Sequence, residues 1–95
     1  MLLEKLKIVT VGDVHSGTSA TTGKAWSARS ILLSFEDEQG ENYMLAGVDS
    51  DVWTRLGISQ GETANLHLRF RTKRFNNGYV ANDIRIVSPE NAQQP

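Results

Sequence analysis

The chain has 95 residues, 39% of them apolar, with ten Lys and Arg, eleven Asp and Glu, and a net charge of −1. That is a single domain near the lower end of comfortable core size, and no run approaches the ~20 apolar residues of a membrane span. Cysteine is absent, which excludes disulfides and thiolate metal sites, and MLLEKLKIV lacks the features of a secretory signal, so a cytoplasmic protein with no membrane role is expected.

Leu3 to Val14 is rich in Leu, Ile, Val and Thr and reads as a first strand. His15 to Lys24 (HSGTSATTGK) is Gly, Ser and Thr with little apolar content, which predicts a long loop. Ala25 to Phe35 returns to strand character, with Ile31, Leu33 and Phe35 on one face. Glu36 to Asn42 is a charged turn around Gly40, and Tyr43 to Val48 is a short third strand. The period then changes. Asp49 or Ser50 can cap, Val52, Trp53 and Leu56 fall at helical spacing, and Gly57 stops a helix of about two turns. From Glu62 the chain alternates, with Leu66, Leu68 and Phe70 opposite Asn65, His67, Arg69, Arg71 and Lys73. Asn76-Asn77-Gly78 is a hairpin turn, because Asn-Gly tolerates the left-handed dihedrals such turns need. Tyr79 to Val87 is the last strand, and 89–95 is expected to be a disordered polar tail.

Three strands, a short helix and a two-stranded hairpin predict an all-β fold over residues 1–88. A single helix between strands 3 and 4 of five is the arrangement of the Greek-key OB-fold barrel. Another small barrel or a β-sandwich is the alternative.

Two short matches to catalytic motifs fail on inventory. Gly12-Asp13-Val14-His15, after a β-prone run, has the Asp-x-His form found in calcineurin-type metallophosphoesterases. A two-metal centre needs several more ligands, and this chain has only His15 and His67, with neither a Gly-Asn-His nor a Gly-Asp-x-x-Asp block. Thr22-Gly23-Lys24 lacks the rest of a phosphate loop. The acids of residues 36–41 do not follow calcium-loop spacing and read as a solvated turn. No enzyme activity, metal or cofactor is expected.

Charge is segregated along the chain. Residues 1–35 hold four cations and two acids (+2), residues 36–62 one cation and seven acids (−6), and residues 63–95 five cations and two acids (+3). The richest segment is NLHLRFRTKRFNNGYVANDIR, Asn65 to Arg85. Arg69, Arg71 and Lys73 form a cationic strip, Arg74 and Phe75 extend it into the turn, and Tyr79 and Arg85 follow on the partner strand. Trp26 adds a ring between Lys24 and Arg29. Cations attract phosphates irrespective of sequence, and aromatic rings stack on unpaired bases. The same alternation also describes an ordinary exposed strand, whose Lys and Arg discourage edge pairing.

KIVTVGDV, GKAWSARSILLSF and GYVANDIRIV together resemble the strands of small OB-fold single-stranded DNA-binding proteins of bacteria and phages. The resemblance implies single-stranded DNA binding in support of replication, recombination or repair. It implies homo-oligomers, and replication or recombination proteins as further partners. On it, Lys24, Arg29, Arg69, Arg71, Lys73, Arg74 and Arg85 neutralise phosphates, while Trp26, Phe75 and Tyr79 stack on bases. The competing expectation is an assembly module of the same fold whose basic hairpin meets an acidic protein surface.

Overall fold

A computed structural model describes residues 1–89; residues 90–95, which make up most of the expected polar tail, lie outside the described residues. The elements are β1 (Leu2–Val11), β2 (His15–Thr18), β3 (Ala25–Asp37), β4 (Gly40–Asp49), α1 (Ser50–Leu56), β5 (Thr63–Arg74) and β6 (Val80–Val87). Among the described residues the fold is mostly β-sheet, with α1 as a short helix. Among the described residues no helix is long and apolar enough to cross a membrane.

All six strands belong to one sheet, in the order β1-β5-β6-β4-β3-β2. An additional antiparallel pairing of β1 with β3 joins the sheet back on itself as a ring. Neighbours are antiparallel except β4 and β6, which are parallel and meet at Gly47 and Arg85. β1 serves two partners by changing register twice, between Leu3 and Leu6 against β5 and between Ile8 and Thr10 against β3. At the first irregularity Lys5 takes φ 58, and its N–H donates to Asn65 Oδ1 at 3.0 Å. Such bulges bend a strand and sharpen its twist.

The strand count differs from the expected five. His15–Thr18 lies within the expected loop, yet it pairs with Ala25–Ala28 as a distinct strand. Its burial is almost nil, so it carries no hydrophobic pattern to read; the ladder to β3 alone defines it. The helix consequently falls between the fourth and fifth strands. β1 and β2 lie end to end along β3, linked by Gly12 N–H donating to Ser30 O at 2.8 Å. The charged turn of residues 36–42 also shortens, because Phe35–Asn42, Glu36–Glu41 and Asp37–Gly40 are paired, leaving Glu38 and Gln39 at the tip.

Alternation within each strand selects the core. Leu6, Ile8, Ile31, Leu33, Ala46, Val48, Leu66, Leu68 and Ile86 point into the ring, and α1 adds Val52 and Trp53. The helix stops at Gly57, whose left-handed backbone lets its N–H reach Trp53 O. β3 is the most connected strand, paired to β1, β2 and β4, and Leu33 at its middle is fully buried. Leu33→Ala should lower stability by about 2–5 kcal/mol. Urea unfolding should show a lower midpoint at unchanged slope; a loss below about 1 kcal/mol would contradict the packing described.

Candidate nucleic-acid interface

The same alternation that fills the ring turns a second set of residues outward. On β5 these are His67, Arg69, Arg71 and Lys73, and directly opposite them on β6 stand Val87, Arg85, Asp83 and Ala81. Arg69, Arg71, Lys73 and Arg85 therefore share one face. Two carboxylates lie among them. Asp83 Oδ2 is 3.8 Å from Lys73 Nζ, and Asp49 Oδ1 accepts from Arg85 Nη2 at 2.7 Å. Four cations less two acids leave this patch at +2.

The face continues across the parallel pairing to β4 and β3. Asp49 is opposite Ala28, and Gly47 is opposite Ser30. Two residues before Ala28, on the same side of β3, stands Trp26. It is paired with Gly17 of β2, and the indole lies against that glycine: a Cβ there would come within 2.8 Å of Trp26 Cζ2. Backbone supports one side of the ring, and Trp26 as a whole residue is 49% exposed. An indole held this way offers a flat apolar surface to a stacking partner.

Lys24 and Arg29 occupy different settings. Lys24 closes the β2–β3 turn, where Ser19 N–H donates to its carbonyl at 2.8 Å, and it is exposed. Arg29 falls on the other side of β3 from Trp26, is half-buried, and donates through Nη1 to Gly12 O at 3.2 Å. Arg29 thus spends part of its donor capacity inside the fold.

The β5–β6 hairpin runs on beyond the ring as an arm, every residue from Arg69 to Val80 being exposed. Arg74 is paired with Val80 and lies on the face of Phe70 and Thr72, opposite that of Arg71 and Lys73. It does not extend the strip; a period of two sends it to the other side. At the tip Phe75 N–H donates to Tyr79 O at 2.8 Å, and Tyr79 N–H donates to Asn77 Oδ1 at 3.0 Å. The two rings sit 5.8 Å apart, tilted by 37°, with Tyr79 64% exposed. Phe75 and Tyr79 form one aromatic knob rather than two separate platforms.

Tyr43 and Leu45, which the sequence offers only as part of a strand, share the outward face with Gly47 and are 59% and 63% exposed. The signal was in the run Tyr43–Val48, which is apolar on both faces, although only Met44, Ala46 and Val48 are needed inside. The Glu41 charge beside Tyr43 raises its hydroxyl pKa. A depression of about 530 Å³ lies elsewhere, between β1 and the acidic end of β3–β4, lined by Glu4, Lys5, Lys7, Ser34, Phe35, Glu36 and Glu41. Its mixed charge gives it no preference for a polyanion. Among the described residues no three His, Cys, Asp or Glu side chains gather as a metal site, and His15 lies exposed on β2.

The Trp26 platform depends on the missing side chain at Gly17. Gly17→Ala should push the indole off the backbone and raise its quenching by acrylamide, in a background where Trp53→Phe removes the second emitter. Unchanged quenching would show that the ring does not rest there. No protein-family model matches the chain, and no curated protein matches it.

Proposed function

We propose that the protein is a non-enzymatic module that binds single-stranded DNA across the outward face of β3, β4, β6 and β5. One observation carries the reading: the register joins Trp26, Arg85, Arg69, Arg71 and Lys73 into a continuous outward path. Cations with a net surplus hold the phosphates, and an indole with one free side stacks on a base. Lys24 stands at the Trp26 end, while Arg29 lies behind it on the other side of β3. Arg74, Phe75 and Tyr79 sit at the arm, where a strand leaving the sheet would meet them.

The topology supports an OB-fold reading of the ring. Taken as one bent strand, β1 and β2 give five strands with a helix before the final hairpin and a parallel pairing between the third and the last. On this reading the protein acts in the cytoplasm in replication, recombination or repair, as a homo-oligomer, alongside other proteins of those processes. A second reading, a protein-assembly module, is favoured by Phe70 and Val80, both half-exposed on the arm face that carries Arg74.

Titration of labelled oligo(dT) at two salt concentrations separates the two. Binding should weaken with salt at a log–log slope of about −0.7 per phosphate neutralised, and single strands should outcompete duplex, whose bases are already stacked. Trp26→Ala should cost ~1–3 kcal/mol with the slope unchanged, since stacking displaces no counterions. No binding at low salt, or a preference for duplex, would overturn the assignment.

A further inference from the structure

Two arginines stand directly opposite each other on adjacent strands: Arg69 of β5 and Arg85 of β6. Like charges in that relation repel and destabilise a sheet. The Glu36–Glu41 rung of β3–β4 is also like-charged, but both its residues are exposed near a hairpin end, where water screens them. Arg85 is differently placed. Its side chain is 31% exposed, it lies within the ring at the single β4–β6 bridge, and its guanidinium is held in position.

One ion pair holds it. Asp49 Oδ1 accepts from Arg85 Nη2 at 2.7 Å. Gly47, the bridge partner of Arg85, lies beneath the guanidinium: Nη1 stands 3.7 Å from where a Cβ would be, an ordinary contact distance. Asp49 is also the N-cap residue of α1, yet its side chain makes no capping bond. Asp is among the best capping residues, so its carboxylate forgoes a local stabilising role while engaged with Arg85. One rung along, Asp83 lies directly opposite Arg71 and pairs with Lys73, so that charge is compensated within the hairpin. Arg69 has no such neighbour on its rung.

We propose that Arg69 and Arg85 form a two-arginine clamp for one backbone phosphodiester, and that Asp49 is the positioning residue that aims Arg85 into it. The inference rests on the single-stranded DNA reading and specifies where on that face a phosphate is held. A phosphate between the guanidinium groups turns their repulsion into two charge-assisted contacts, and the planar donor fork of arginine suits its oxygens. With one Arg85 nitrogen fixed by Asp49, the remaining donors of the planar guanidinium are oriented before the ligand arrives, so less side-chain freedom is lost on binding.

The test uses the sign of the effect. Asp49→Asn removes a negative charge from a face that binds a polyanion, so general electrostatics calls for tighter binding. The clamp calls for weaker binding, on the order of tenfold for one lost charge-assisted contact, in oligo(dT) titrations of the full chain at fixed salt. Losing the carboxylate leaves the Arg69–Arg85 repulsion uncompensated, so the variant should melt somewhat lower than the parent and is titrated well below its melting point, and Asp49→Glu should recover part of the binding loss. Arg69→Thr should weaken DNA binding while the DNA-free protein melts at or above the parental temperature. Adding Asp49→Asn to Arg69→Thr should cost less than it does alone, because both act on one clamp. Tighter or unchanged binding by Asp49→Asn, with the parent binding normally, would overturn the clamp and leave the wider reading standing. A parent that does not bind DNA at all would overturn both.

Discussion

The architecture depends on β1 having two neighbours. A straight strand could pair with β5 or continue alongside β3, but the register changes let its first half follow β5 and its second half follow β3. That bend closes the ring and gives the molecule an inside for Leu6, Ile8, Leu33 and Leu68. It has a local cost, with Lys5 in left-handed backbone and its amide satisfied by a side chain of β5. The stabilisation comes from the core that closure creates, since burying apolar area is the largest favourable term available to a chain of this length.

Closure also fixes where the charges go. Because β4 and β6 run parallel, the turns preceding them leave the sheet at the same end. One turn is flanked by Glu36, Asp37, Glu38 and Glu41, and the other by Arg71, Lys73 and Arg74. A net charge of −1 therefore hides two hairpins of opposite sign, and local potential follows the hairpins rather than the total. On the proposed function, a nucleic acid strand is repelled from the β3–β4 tip and drawn along the β5–β6 arm. The parallel bridge at Gly47 and Arg85, between the two, is where it would cross towards Trp26.

Much of the fold could be read from alternation and turn chemistry. Leu66 and Leu68 face inward and Arg69, Arg71 and Lys73 outward as their period of two requires, and the helix from Ser50 to Leu56 matches the spacing of Val52, Trp53 and Leu56. β2 was not legible, because a strand that buries nothing leaves no pattern; hydrogen bonds to β3 define it. Arg74 was expected in the turn, where alternation does not apply; the ladder keeps it in β5 opposite Val80, and the period of two then sends it to the other face. The partners of Arg85 were hidden for a different reason: Asp49 and Gly47 lie more than thirty positions away, and only the ring brings them together. Tyr43 and Leu45 were overlooked because apolar residues in a strand are read as core by default, and here only every second one is needed there.

Backbone amide chemical-shift mapping with a short oligo(dT) reports where the strand lies as well as whether it binds. The largest shifts are expected at Gly17, Trp26, Gly47, Arg69, Arg71 and Arg85, fading towards the acidic tip at Glu38 and the helix at Arg55. Shifts centred on the helix or the β3–β4 tip, with the outward face of β5 and β6 unmoved, would contradict it.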